Sequence, residues 1–231
     1  MTSRPDYRPY RYAGHDEHVL CFGAGSARRI LIIPPLFDEM NRCRRMLVQA
    51  MRGLAERGAG SLLIDLPGCN ESLAGLQQQS LSTWREAVHA AATQLDATHI
   101  AALRGGALID NGAADLPHWR LAPAKGSGLL KTLFRTRIAG DREAGRATSE
   151  AGLIEAAKAA PIDLAGNLLG PDMVAELASA EPATVAQLTV RTLGQEVAGS
   201  TLWLRAEPQD DPAMSAAIAA DLDQWSASCG G

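Results

Sequence analysis

Arg104 occupies a position from which a reactive side chain would project. The stretch THIAALRGGALIDNG (98–112) reads as a buried strand, a tight glycine turn and the start of a helix. An elbow of this kind lifts one side chain above the strand ends, and its strain demands small neighbours. Ala102 and Gly106 fill the two small positions, and Gly105 follows Arg104 directly. A guanidinium stays protonated at neutral pH and offers no lone pair for attack. It is suited instead to gripping a carboxylate or phosphate with two parallel hydrogen bonds. Arg104 and Gly105 are therefore read as ligand-binding residues.

Three other groups are weaker candidates for chemistry. Cys69 could attack only as a thiolate, which needs a base or cation beside it. Glu39 or Asp210 could activate water, given a raised carboxyl pKa and donors for an oxyanion. The five histidines are His15, His18, His89, His99 and His118, so none follows the acidic turn at Asp210 and Asp211. The four cysteines are scattered without C-x-x-C spacing, which argues against a zinc site and against a disulfide framework. GAGSAR (23–28) lacks the third glycine of a dinucleotide loop and precedes a strand instead of opening a helix. No metal and no cofactor is expected.

The elements that must position these groups alternate. RRILIIPP (28–35) carries a continuous apolar run, as a strand buried on both faces does. Met40, Cys43, Leu47, Ala50 or Met51, and Leu54 recur at helical spacing. SLLIDLPG (61–68) is a second buried strand, and Thr83 with Glu86 suggests a capping box for the next helix. THIAAL (98–103) is the third strand. Strand, helix, strand, helix, strand implies parallel pairing through crossovers. HWRLAPA (118–124) reads as a further strand, GALID as the start of a helix, STLWLRAEPQDDP (200–212) as a strand with an acidic turn, and AMSAAIAADLDQW as a closing helix. The predicted fold is α/β, a doubly wound, mostly parallel sheet formed by the whole chain, 1–231, as one domain.

With 231 residues, 46% hydrophobic and 21% charged, the composition is that of an ordinary globular protein. A net charge of −4 argues against a nucleic-acid binder. No apolar run reaches membrane-span length and the first residues lack a signal-peptide core, so a cytoplasmic location is expected.

DLPGCNES (65–72) resembles the D-x-P-G-x-G-x-S loop of α/β-hydrolases, with Asn70 in place of a glycine. IIPPLFDEMNRCRRM, LLIDLPGCNES, STW, ALRGGAL, WRLAPAKGSGLLKTLFRTRIAG and DLAGNLLG are similar, in this order, to the exosortase A system-associated hydrolase 2 proteins. The likeness runs from about residue 30 to about residue 205. It implies an α/β-hydrolase-like fold with a helical cap at about 125–160, and a setting in exopolysaccharide and exosortase processes. It places Phe37 and Asn41 in the loop that supplies an oxyanion N–H in that fold. It also places Lys125, Lys131, Arg135 and Arg137 on a cap above Arg104, where with Arg104 they would form a cationic pocket. The serine triad of that fold runs nucleophile, acid, histidine along the chain. Arg104 removes the first, and no histidine comes late enough to be the third. The expected function is binding of a small anionic ligand or an exopolysaccharide-system protein without serine chemistry. The alternative is an active ester or thioester hydrolase using a different nucleophile or base.

Overall fold

The structure, a computed structural model, describes residues 4–23 and 25–229. Among the described residues, seven strands form one sheet, in the order β1 (Asp6–Tyr12), β2 (His15–Phe22), β4 (Gly60–Ile64), β3 (Arg29–Ile33), β5 (His99–Leu103), β6 (His118–Leu121) and β9 (Leu188–Arg191). β1 and β2 make an antiparallel hairpin, and β2 is antiparallel to β4. From β4 onwards the sheet is parallel, through β3, β5, β6 and β9. The three predicted strands are the central ones. β4 and β5 are buried at every residue, as their unbroken apolar runs require.

Helices cover both faces. α1 (Asp38–Glu56) turns Met40, Cys43, Met46, Leu47, Ala50, Met51 and Leu54 inward, one stripe of a 3.6-residue repeat. It packs with α6 (Pro212–Ser228) over one face of the sheet. α2 (Leu81–Gln94) covers the other face. Its cap differs from the predicted one. Ser80 is the N-cap, accepting from the Thr83 N–H at 3.1 Å while the Thr83 hydroxyl accepts from the Ser80 N–H at 2.8 Å. The helix starts earlier than Thr83 because Leu81 and Trp84 are both buried in the core. Glu86 is free to accept from the Tyr12 hydroxyl instead.

Between β6 and β9 the chain leaves the sheet. This excursion holds α3 (Gly126–Glu143), α4 (Glu150–Ala159), a hairpin of β7 (Ile162–Leu164) and β8 (Asn167–Leu169), and α5 (Pro171–Ser179). It runs about twenty residues past the end predicted for a cap. Leu129, Leu130, Leu133, Phe134, Leu153 and Leu177 join the same buried cluster as α2. Both hairpins turn through an Ala-Gly pair with positive φ at each residue: Ala13 and Gly14 in one, Ala165 and Gly166 in the other. That is the tight turn whose twist suits antiparallel strands.

Two further expectations are corrected. GALID does not begin an α-helix. Residues Arg104–Leu108 and Asp110–Ala113 form two short 3-10 turns. Asp110 is drawn inward by its buried pair with Arg120, at 2.6 and 2.8 Å. Gly112 is pressed so closely on the Arg85 carbonyl that a Cβ there would overlap the oxygen. Residues 200–204 do not form a strand either. Leu202–Leu204 is a 3-10 turn whose Leu202 and Trp203 are buried beside α1. The last strand is β9, in a segment whose apolar pattern is too short to stand out. Among the described residues no helix is long and apolar enough to cross a membrane.

Asp141 anchors the excursion. It lies near the end of α3 and accepts from Arg137 at 2.8 Å, Arg146 at 2.9 Å and the Thr148 hydroxyl at 2.6 Å. Hydrogen bonds from Thr148, Arg137 and Arg146 hold its carboxyl well below the usual carboxylate range. A depressed carboxyl adds stability above its unfolded pKa, near 3.9, and loses it as pH falls towards the folded value. Asp141→Asn is therefore expected to lower the melting temperature by a constant amount between about pH 5 and 8. The gap to wild type should narrow below about pH 4, where the Asp141 carboxyl of the unfolded chain takes up a proton and that of the folded protein does not. Thermal melts across that range check it, and a gap that widens in acid would contradict the assignment.

Candidate functional site

The strand order reverses around β3, because β4 lies on one side of it and β5 on the other. Crevices at such a reversal, beyond the carboxyl ends of the strands, are where open α/β sheets take ligands. The turns after β3 and β5 both open there.

The turn after β5 is a true elbow. Arg104 has φ +52°, a left-handed conformation that a long side chain rarely adopts. Both following glycines are required by close approach. A Cβ on Gly105 would stand 2.6 Å from Leu129 Cδ1 and 3.0 Å from Leu36 Cγ. One on Gly106 would stand 2.7 and 2.8 Å from the Pro34 and Ile33 carbonyl oxygens. The turn after β3 is strained as well. Phe37, just before α1, has φ +57°, and its ring lies 5.7 Å from that of Trp84. Paired strained turns at one crevice are a recurrent feature of functional sites.

The group seated between them is an ion pair. Arg104 Nε donates to Glu39 Oε2 and Nη2 donates to Oε1, each at 3.1 Å. Nη1 donates to the Ala122 carbonyl at 3.1 Å. The guanidinium carbon lies 4.7 Å above the Trp203 ring. The Trp203 carbonyl in turn accepts from Arg42 at 3.1 Å. The Arg104 side chain is 20% exposed and that of Glu39 11%. Burial pushes the Glu39 carboxyl above its ordinary value, against the hydrogen bonds and charge of Arg104, which pull it down. The bidentate geometry requires a carboxylate facing a guanidinium.

The other predicted residues lie apart from this pair. Asn41 is exposed on α1. Lys125, just before α3, is mostly exposed and pairs with Glu181 at 2.6 Å. Lys131 and Arg135 are exposed on α3, and Arg137 is engaged with Asp141. The cationic pocket is therefore not assembled, because these cations either meet their own acids or face solvent. Asp210 pairs with Arg45 at 2.9 Å, about 9 Å along α1 from Glu39. Burial, then the charges of Asp65 and Glu17, push the Cys69 thiol up to about 12, so the thiol stays protonated. His99 and His118 begin β5 and β6, at the opposite end of the sheet from the elbow. His15 and His18 lie on β2, and His89 on α2 contacts the Gly112 carbonyl. Among the described residues no group of three or more His, Cys, Asp or Glu is placed to hold a metal ion.

Two contributors escaped the sequence reading. Trp203 falls in a segment whose pattern reads as a strand, and Ala122, with φ +45°, falls near the end of another such run. No local signal marks either one. Their partners lie 99 and 18 residues away in the chain.

The mixed sheet with its antiparallel leading strands, the reversal at β3 and the glycine elbow after β5 define an α/β-hydrolase fold. No family model matches the chain, and no curated protein does. Among solved structures it is similar to an epoxide hydrolase of Vigna radiata, at 15% identity and a TM-score of 0.42 over 51% of this chain and 38% of that one. A laboratory-evolved variant of potato epoxide hydrolase gives 19% and 0.43 over 51% and 39%. An esterase of Pyrococcus furiosus gives 12% and 0.41 over 58% and 56%. The match thus spans about two fifths of the length of those epoxide hydrolases. At such values the likeness brings no activity with it.

A double-mutant cycle tests the ion pair. Arg104→Met leaves a buried carboxylate alone, and Glu39→Leu leaves a buried guanidinium alone. Each is expected to cost about 2–4 kcal/mol in urea unfolding, allowing for partial exposure. The double variant should cost less than the sum, with a coupling of about 1–3 kcal/mol. Additive losses would mean that the two groups do not depend on each other.

Proposed function

We propose that this protein keeps the α/β-hydrolase scaffold without its ester chemistry and works by binding, as a cytoplasmic partner of the exopolysaccharide and exosortase system. The single observation that carries this reading is the bidentate Arg104–Glu39 pair at the elbow. The position that would carry an attacking oxygen holds a cation, and an internal carboxylate fills the seat an anionic ligand would take. Of the two binding modes, a protein partner is therefore better supported than a small anion held by Arg104. The exopolysaccharide setting rests on the sequence resemblance over residues 30–205. Four free cysteines suit a reducing compartment.

A generic ester and thioester assay tests the absence of chemistry. The purified protein should hydrolyse short-chain p-nitrophenyl esters and acyl thioesters no faster than a heat-denatured control. Arg104→Ser should not gain turnover, because no imidazole lies beside the elbow to activate a hydroxyl. Turnover that disappears on Glu39→Gln or Cys69→Ala would favour the hydrolase reading with an unusual base or nucleophile, and would overturn this one.

A further inference from the structure

The sheet ends differently at its two edges. At one edge, β1 carries Pro9 in mid-strand, which removes a backbone donor, and its arginines are tied to acids, Arg8 to Asp6 and Arg11 to Asp16. Proline and charge are common protections for an edge strand. At the other edge β9 has no proline and only one charge, Arg191, which Asp221 holds at 2.9 Å.

The register of β9 decides what it shows to solvent. The Gln187 carbonyl accepts from the His118 N–H at 2.7 Å, and the Arg191 carbonyl from the Ala122 N–H at 2.9 Å. Alternation along the parallel ladder then turns the N–H and C=O of Leu188 and Val190 outward. The side chains of the same two residues share one face and are 39% and 47% exposed. Unpaired backbone and uncovered apolar surface therefore coincide at two residues. The segment that the sequence pattern would place next as a strand, around 200–204, is instead folded down onto Arg104 and α1.

We propose that β9 is a self-association edge, on which a second copy of this chain pairs antiparallel about a two-fold axis at Thr189. The argument for a second copy is self-complementarity. That axis sets Leu188 of each copy opposite Val190 of the other as hydrogen-bonded pairs, giving four main-chain hydrogen bonds. Residues in such a pair lie on the same face, so both exposed Leu–Val contacts become covered. Residues 182–190 carry no charge, and Arg191 is already neutralised, so no like charges meet at the seam. The interface is isologous and closed, and it joins two seven-stranded sheets into one. With only four residues in the strand, the association is reversible.

Sedimentation velocity on the full chain from about 5 to about 500 µM reads it directly. Wild type should move from monomer to dimer mass across that range. Val190→Lys, which places a charge at the seam, should raise the dissociation constant at least about tenfold. Its far-UV circular dichroism and melting temperature should match wild type, and Leu188→Lys provides an independent second variant. Thr189→Cys sits on the axis, where the Cα atoms of facing residues approach to about 4.5 Å, and should give a disulfide-linked dimer under mild oxidation that wild type does not give. A wild type that stays monomeric throughout overturns the proposal. So does a dimer whose affinity neither lysine variant weakens, or one that Thr189→Cys fails to cross-link.

Discussion

Arg104 and Glu39 hold each other where neither would stay alone. A non-glycine residue in the left-handed region costs about 1–3 kcal/mol, and a long cationic side chain has nothing intrinsic to offset it. Glu39 is nearly buried at the first turn of α1, where an unpaired carboxylate would take up a proton. Two parallel hydrogen bonds, a carbonyl acceptor and the face of Trp203 together occupy most of what a guanidinium can offer. The elbow's strain is thus supported by an interaction internal to the protein. In an elbow that carries out chemistry, the exposed side chain is left free for substrate. Here it is bound from within.

The same interaction links both ends of the chain's second half. Trp203 reaches Arg104 because Leu202–Leu204 folds into a 3-10 turn beside α1. That choice of conformation sets an aromatic face against the guanidinium. Leu202 and Trp203 are buried in the α1–α6 layer, so the choice is set by apolar burial as well as by the cation.

The central architecture could be read from the chain because it depends on local patterns. Unbroken apolar runs marked β3, β4 and β5, and the spacing of Met40, Cys43, Leu47 and Leu54 marked α1. The elbow was legible too, since Ala102, Gly105 and Gly106 around one large residue leave few other turns possible. Arg104 itself looked like an open clamp. Its partner Glu39 was visible only as an acid in a helix's first turn, where acids are common for reasons of the helix dipole. What decided its role was a contact across 65 residues, which no spacing rule carries. Lys131 and Arg135 face solvent on α3 for the related reason that helical spacing tells which residues share a face, and not whether that face looks inward. β9 and the strand that became a 3-10 turn were both too short for periodicity to separate from loop.

Gly105 shows what the motif demands of the backbone around it. In an elbow that works on substrate, a small residue after the nucleophile keeps a backbone N–H accessible to an oxyanion. In this protein the space left by the missing Cβ is taken by Leu36 and by Leu129 of α3. Packing alone therefore demands a glycine at this position. Phe37 follows the same logic. Its strained backbone opens towards the crevice, while its ring packs on Trp84 in the core. Glycine pattern and left-handed turns therefore specify the backbone path at the strand ends, and that path is retained. Chemistry requires in addition an unoccupied seat and a base beside it. The seat is filled by a carboxylate and two leucines, and the imidazoles that begin β5 and β6 lie at the far end of the sheet.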